Sequence, residues 1–201
     1  MRGARNKKQN RKYKGDTTMA KIFGIEVKNV KNLTDHEGMG IHAGNIYMDG
    51  KKIGTWHDGY YGESADVDVG RDAYKELQNR ANKLYSISKF KSGGKVVDCK
   101  IFDGEVDILL SQLVGLKEHE KKFSKFVKDG FASMIMFESH GFYASIGIRH
   151  VFNDWETRFS KQIAEVKARF PQWCLSDMRV VYYTSLDDFI VDDSTTSYML
   201  F

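Results

Sequence analysis

The sequence predicts an α+β fold in which a largely antiparallel sheet is built from an N-terminal hairpin unit and from C-terminal strands, with three to four helices. Two observations lead to this prediction. Strand patterns group within residues 20–56 and 131–148, and helical patterns group between and after them instead of alternating with single strands. The dipeptide Asp49-Gly50, flanked by apolar residues, is typical of a two-residue β-hairpin turn.

The N-terminal strands follow a period of two. Residues 20–30 alternate apolar and polar side chains, which predicts a half-buried strand with Ile25 and Val27 on its apolar face. Residues 32–44 are polar and rich in glycine, so they predict a loop, and residues 57–70 predict a second irregular stretch.

The hairpin between these two stretches takes its register from the Asp49-Gly50 turn, because a type I′ turn needs two residues with positive φ. In that register we expect Ile46 to face Ile53. Tyr47 and Trp56 then share the opposite face of the hairpin.

Three stretches repeat apolar residues with the period of an amphipathic helix. The three apolar stripes are Tyr74, Leu77, Ala81 and Leu84; Val106, Leu109, Leu113 and Leu116; and Trp155, Phe159, Ile163, Val166 and Phe170. Gly130 and Pro171 are typical helix-ending residues after the second and third stretches.

The C-terminal strands are predicted by composition and by a turn. Residues 131–137 are almost wholly apolar, as expected of a central strand. The sequence Ser139-His140-Gly141 turns this strand into residues 142–148, which predicts a hairpin, and residues 178–184 predict a last strand.

Residues 1–18 differ from the rest of the chain, because they hold seven basic residues, one acid and no apolar period. We expect this segment to be disordered, since it cannot bury a face. A permitted coding of residues 14–19 places a purine-rich ribosome-binding sequence just before Met19. That coding predicts a translated leader and a true start at Met19. The alternative is a native basic arm that binds nucleic acid through Arg2, Arg5, Lys7, Lys8, Arg11 and Lys12.

Residues 19–201 predict a single α+β domain, although the glycines that follow Ser92 can separate sub-lobes 19–91 and 95–201. Removing the seven bases and one acid of residues 1–18 from the totals of 31 and 27 leaves 24 bases and 26 acids. The net charge then changes from +4 to −2, so the domain itself does not have the composition of a nucleic-acid-binding protein.

The chain also lacks several features that would indicate other classes. Cys99 and Cys174 lie far apart and outside any metal-binding spacing, which predicts reduced thiols in a cytoplasmic protein. There is no apolar run long enough to span a membrane, so we expect no membrane partner. No phosphate-binding loop or nucleophile elbow is present, so we predict no cofactor and leave enzymatic activity open.

Glu26 and Lys28 form an E-x-K pattern on the first predicted strand. This pattern resembles the metal-binding half of restriction-type nucleases, in which a carboxylate holds Mg²⁺ and a lysine stabilises charge at the attacked phosphate. Such a site needs an upstream aspartate, and the only earlier acid is Asp16 in the basic segment. A metal-dependent nuclease therefore stays an alternative to two solvated residues on a half-exposed strand.

Imidazoles and carboxylates gather around the first hairpin, at His36, Glu37, His42, His57 and Asp58. These groups are suitable ligands for Zn²⁺ or Mn²⁺. Their spacing matches no metal-binding motif, and polar residues are expected in loops, so no metal ligand is predicted.

Two candidate binding surfaces remain. Trp56, Tyr60 and Tyr61 border a glycine-rich loop, and large amphipathic rings on a loop are typical of binding hot spots. Asp187, Asp188 and Phe189 lie in an acidic tail that can contact a basic partner. The alternatives are a loop that closes over the core, a solvated tail, and a cavity in which these rings sequester a small ligand.

Residues 24–29 (GIEVKN) and 44–54 (GNIYMDGKKIG) resemble segments of accessory proteins of phages and mobile elements in low-GC Gram-positive bacteria. The resemblance covers only the N-terminal part of the chain and includes no catalytic motif. Phage accessory genes of this size often encode stoichiometric inhibitors of host defence, including anti-CRISPR proteins. The resemblance therefore implies a protein that inhibits a host protein or ribonucleoprotein complex by protein–protein contact.

Overall fold

A computed structural model describes residues 19–34, 40–58, 64–92, 95–98, 106–139, 142–169, 178–196 and 198–199. The elements in chain order are β1 (Lys21–Ile22), β2 (Ile25–Thr34), β3 (Gly40–Met48), β4 (Lys51–His57), β5 (Asp66–Val69), α1 (Arg71–Ile87), β6 (Ser88–Ser92), β7 (Lys95–Asp98), α2 (Val106–Lys128), β8 (Ser133–Ser139), β9 (Phe142–Ile148), α3 (Trp155–Arg158), α4 (Ser160–Arg169), β10 (Arg179–Tyr183), a 3₁₀ turn (Leu186–Phe189), β11 (Ile190–Val191) and β12 (Tyr198–Met199).

The largest sheet has six strands in the order β11-β1-β2-β3-β4-β5. All of its pairings are antiparallel except β1 with β11, which brings the C-terminal part of the chain against the N-terminal strand. The predicted α+β class with largely antiparallel pairing is therefore confirmed. The type I′ prediction is confirmed as well, since φ is 49° at Asp49 and 81° at Gly50.

The predicted register of this hairpin is wrong by one residue. Ile46 pairs with Gly54 and Tyr47 pairs with Lys52, so Ile53 is an extra residue that forms a β-bulge. Because side chains alternate along a strand, one inserted residue exchanges the faces of everything that follows it. Trp56 consequently lies on the same face as Ile46 and not on that of Tyr47.

The predicted loop at residues 32–44 is also largely strand. Asn32 pairs with His42 and Thr34 pairs with Gly40, so β2 and β3 continue to both sides of residues 35–39. A bulge around Asn29, whose φ is 54°, keeps the two strands paired beyond Lys28. The predicted irregular stretch at 57–70 contains β5, which pairs with β4.

Helices α1 and α2 cover one face of the six-stranded sheet. The core between them contains Ile25, Val27 and Ile46 from the sheet together with Leu77, Leu84, Leu109 and Leu113 from the helices. Both predicted apolar stripes are buried there except for Tyr74, which is 42% exposed. The same cluster includes Met134 and Met136 of β8, so α2 is covered on two sides.

The second sheet has the order β10-β8-β9, which confirms β8 as a central strand and β8–β9 as a hairpin. Ile135 and Phe137 alternate with the two methionines and lie in a second core. Trp155, Phe159 and Ile163 of the predicted third stripe pack against that core from α3, α4 and the residue between them. The layers are therefore, in order, the six-stranded sheet, helices α1 and α2, the second sheet, and helices α3 and α4.

A third sheet has the order β12-β6-β7 and follows α1 directly. The main core draws on residues on both sides of positions 93–94, from Ala20 to Val191. Residues 1–18, His140, Gly141, Phe170, Pro171, Cys99 and Cys174 lie outside the part of the chain that the structure describes.

Candidate functional site

The six-stranded sheet has a second face, opposite the face that packs on the helices. Side chains alternate along a strand, and Ile25 and Val27 of β2 are buried in the core. Glu26 and Lys28 therefore lie on the other side of β2. Cross-strand pairing extends this side through β3, β4 and β5. We call it the outer face; its described residues include Glu26, Lys28, Lys31, Ala43, Asn45, Tyr47, Lys52, Thr55, His57, Asp66 and Asp68.

Tyr47 lies in the middle of the outer face. It pairs with Glu26 on β2 and with Lys52 on β4. The Lys28 ammonium lies 4.5 Å from the centroid of the Tyr47 ring, and its Nζ is 3.0 Å from Glu26 Oε2. These contacts hold a half-buried aromatic ring in place by a cation–π interaction and an ion pair.

The hydroxyl of Tyr47 makes no hydrogen bond with any residue that the structure describes. A tyrosine whose ring is held by neighbouring side chains can contribute apolar contact area to an interface at little cost in conformational entropy. Its hydroxyl can in addition hydrogen-bond to the partner. The sequence placed Tyr47 on the hairpin face opposite Ile46 but did not identify it as a binding residue. The alternation in Ile46-Tyr47-Met48 was the signal that could have identified it.

The charges of the outer face are mixed in sign. Glu26, Asp66 and Asp68 supply three carboxylates, and Lys28, Lys31 and Lys52 supply three ammonium groups. A surface that binds a nucleic-acid backbone concentrates positive charge to displace counterions. The outer face does not have that distribution, because three acids balance its three lysines.

Two histidine–aspartate pairs lie at the end of the sheet where β4 finishes. His57 Nε2 is 3.1 Å from Asp66 Oδ2 on the outer face. His42 Nδ1 is 2.8 Å from Asp58 Oδ2, which also accepts the backbone N–H of His42 at 2.7 Å. Since His57 and Asp58 are consecutive, their side chains leave opposite faces of the sheet.

These pairs do not converge into a metal site. Within the described ranges, no group of three or more histidine, cysteine, aspartate or glutamate side chains is placed to hold a metal ion. His36 and Glu37, the other candidates from this region of the sequence, lie outside the described residues. In the described part, His42 and His57 are each ordered by a carboxylate.

Trp56 does not lie on the surface, contrary to the predicted binding loop. Its side chain is 3% exposed and belongs to the main core, because the bulge at Ile53 turns it inward. Gly44 is its cross-strand partner, and a Cβ at that position would lie 3.2 Å from the Trp56 Nε1 atom. Tyr60 and Tyr61, its predicted partners, lie outside the described residues.

The predicted acidic contact at the C-terminal end also needs correction. Phe189 is fully buried and stacks on Tyr183 with the ring centroids 4.4 Å apart. Asp188 is exposed but accepts backbone hydrogen bonds from Thr184 at 2.6 Å and Ser185 at 2.9 Å, which caps the 3₁₀ turn. Asp187 keeps an exposed side chain without such a bond in the described region. The pairing of β11 with β1 anchors this segment.

The nuclease pattern finds little support in the geometry. Glu26 and Lys28 pair with each other on the outer face, and the neighbour of Glu26 across β3 is Tyr47. The basic residues named for nucleic-acid binding, Arg2, Arg5, Lys7, Lys8, Arg11 and Lys12, all lie outside the described residues.

A buried polar network lies between α2 and the second sheet. His119 is 2% exposed, and its Nδ1 is 2.9 Å from the Tyr183 hydroxyl. Its Nε2 lies 3.3 Å from Oε2 of Glu138, which is 4% exposed. Sequence reasoning found no role for His119, because the three residues come from different elements. Their burial indicates a structural network within the core.

No helix among the described residues combines the length and apolar character needed to cross a bilayer. Comparison with known proteins finds no matching family model, no matching curated protein and no matching solved structure.

Proposed function

We propose that this chain is a binding protein that acts by protein–protein contact through the outer face of its six-stranded sheet. The observation that supports this function is the position of Tyr47 at the centre of that face, where Lys28 packs on its ring and its hydroxyl bonds to none of the described residues. Supported aromatic residues surrounded by polar side chains are typical of interface hot spots.

The proposed partner is a protein surface of mixed charge. The outer face interleaves three carboxylates with three ammonium groups, which is suited to a partner that alternates donors and acceptors. A partner in a ribonucleoprotein complex fits the same chemistry if its protein surface makes the contact.

The biological setting rests on the resemblance of residues 24–29 and 44–54 to accessory proteins of phages and mobile elements. We propose that the chain inhibits a host defence or housekeeping complex in the host cytoplasm, as anti-CRISPR proteins do. Inhibition by binding requires one inhibitor for each target complex, whereas an enzyme would act below that ratio.

The experiment measures phage plaques on a CRISPR-defended Gram-positive host that expresses the full chain or a variant. We expect the full chain to restore plaque formation and Tyr47→Ala to lose most of that effect. Truncation of a central aromatic hot spot costs about 2 kcal/mol or more of binding free energy. Tyr74→Ala is the matched control, because Tyr74 is 42% exposed on α1 and away from the outer face.

Purified full chain is then titrated against the purified defence complex. Loss of target activity that is complete at one inhibitor per complex supports the proposal. Equal plaque counts for Tyr47→Ala and the full chain would contradict the outer face as the contact. Inhibition at much lower ratios would indicate an enzyme such as a metal-dependent nuclease, and salt-sensitive binding to DNA or RNA would indicate a nucleic-acid-binding protein. Saturable uptake of a small metabolite would indicate a sequestering protein.

A further inference from the structure

Glu120 of α2 is a buried acid that binds the first described residues of the chain. It is 4% exposed, and Ala20, which it contacts, is 3% exposed. Glu120 Oε1 accepts the N–H of Met19 at 2.6 Å, and Oε2 accepts the N–H of Ala20 at 3.0 Å. Each oxygen therefore receives one of two consecutive backbone nitrogens, at the point where β1 begins.

The charge of this carboxylate is not balanced by a side chain in the part of the chain that the structure describes. No lysine, arginine or histidine of those residues forms an ion pair with Glu120. Removing a carboxylate from water costs several kcal/mol unless a positive charge and good hydrogen bonds compensate. Two neutral amides supply the hydrogen bonds but not the positive charge.

The group that would supply this charge at the same position is an α-ammonium group. A chain that begins at Met19 carries its ammonium at the nitrogen that lies 2.6 Å from Oε1. If the initiating methionine is then removed, the new ammonium at Ala20 lies 3.0 Å from Oε2. Both possible ends are thus within ion-pair distance of one buried carboxylate.

We propose that Glu120 is the binding site for the α-ammonium group of the native chain, which begins at Met19 or, after removal of the methionine, at Ala20. An independent feature of the sequence agrees. Residues 14–19 permit a ribosome-binding sequence just before a methionine codon. This inference does not depend on the proposed binding function.

The inference changes what the protein presents to its partners. Without residues 1–18 the chain has net charge −2, because 24 bases and 26 acids remain. The basic arm named for nucleic-acid binding is then absent from the native protein. The N-terminus then lies beside Glu120, with Met19 half-buried and Ala20 buried.

The first experiment determines the N-terminus of the protein made from its natural gene with the natural upstream region. Intact mass and N-terminal peptide sequencing give the first residue directly. Met19 or Ala20 is the expected result. Met1 as the first residue would overturn the proposal.

The second experiment measures acetylation of the α-amine as a function of pH in this purified product. An ammonium paired with Glu120 keeps its proton to higher pH than the ordinary α-amino pKa of about 7.7 to 8.0. Near neutral pH we expect the folded protein to react about tenfold more slowly than the urea-unfolded protein, which corresponds to one pKa unit. Equal rates in the two states would overturn the site.

Variants separate the ion pair from simple burial. Glu120→Gln keeps the shape and the hydrogen-bond acceptor but removes the charge, so we expect the α-amine to react faster. Glu118→Gln is the matched control, since it removes a charge from the same helix without touching Met19. The pH dependence of acetylation in the folded wild-type protein decides the question even if Glu120→Gln does not fold, because burial without the ion pair would lower the pKa of the α-amine and not raise it.

Discussion

Arg80 on α1 holds Asp49, at the tip of the β3–β4 turn, through two parallel hydrogen bonds. Nη1 donates to Oδ1 at 3.0 Å and Nη2 donates to Oδ2 at 2.7 Å. Nη1 also donates to the backbone oxygen of Phe23 at 2.6 Å. Phe23 and Asp49 both have positive φ and lie in tight turns between strands. The Arg80 guanidinium therefore hydrogen-bonds two turns of the sheet to helix α1.

This ion pair makes the free energy of unfolding depend on pH. The hydrogen bond from Arg80 holds the pKa of Asp49 below its usual 3.8 and that of Glu76 below its usual 4.5. A carboxyl group whose pKa is lowered in the folded state stabilises the fold at pH values above its ordinary pKa. That stabilisation is lost as pH falls through the folded-state value.

We therefore expect Asp49→Asn to lower the free energy of unfolding by about 0.5 to 1 kcal/mol at pH 7, since the pair is partly exposed. The deficit should shrink as pH falls below 3.8 and through the lower folded-state pKa of Asp49, because the wild-type carboxyl is protonated first in the unfolded and then in the folded protein. Urea unfolding at several pH values between 7 and 2 measures it. Asp68→Asn, an exposed acid on β5, is the control, and a deficit that stays constant down to pH 2 would rule out this explanation.

Gly24 is more sensitive to substitution than Gly50, although both have positive φ, at 76° and 81°. A Cβ on Gly24 would collide with the Asp49 carboxylate and lie 2.9 Å from Arg80 Nη1, whereas a Cβ on Gly50 meets no atom within 4 Å. We expect Gly50→Ala to cost about 1 kcal/mol, from the backbone alone. Gly24→Ala should cost distinctly more. Chemical denaturation of both variants tests the difference, and equal costs would mean that the Arg80–Asp49 pair moves aside freely.

The buried network at His119 gives a prediction for Tyr183. Tyr183→Phe removes the hydroxyl that lies 2.9 Å from His119 Nδ1, in a core position that is 2% exposed. We expect a loss of about 1 to 3 kcal/mol, as for other buried polar groups that lose a partner. Tyr74→Phe on α1 should change stability by less than about 0.5 kcal/mol, because its side chain is exposed. Thermal unfolding of the two variants gives the comparison. Indistinguishable midpoints would show that the hydroxyl contributes nothing net.

Two further glycines should respond to alanine with opposite signs. At Gly147 on β9 an added Cβ would lie 2.7 Å from Phe126 Cδ1 and 2.9 Å from Phe131 Cγ. Overpacking of this kind costs about 1 to 3 kcal/mol. At Gly115, inside α2, the nearest atom is Glu138 Oε1 at 3.8 Å. There alanine fits and should stabilise the helix by about 0.5 to 1 kcal/mol. Urea midpoints that move in the same direction for both variants would contradict these contacts.

The sequence by itself determined the α+β class, the two apolar stripes around Leu77 and Leu109 and the Asp49-Gly50 turn. It also predicted a central strand at residues 131–137, which the structure places at Ser133–Ser139. These features depend on local periodicity and on backbone preferences of single residues, which the sequence shows directly.

Only the tertiary structure decided which side chains are available to a partner. One extra residue at Ile53 places Trp56 in the core, whereas Tyr47 lies on the outer face. No local sequence pattern predicts such a bulge. Phe189, just before β11, is buried where β11 pairs with β1, which is also a contact between distant parts of the chain. The contact of Glu120 with Met19 joins residues 101 positions apart. Burial depends on contacts between distant segments, and a one-residue change of register is enough to exchange the two faces of a strand.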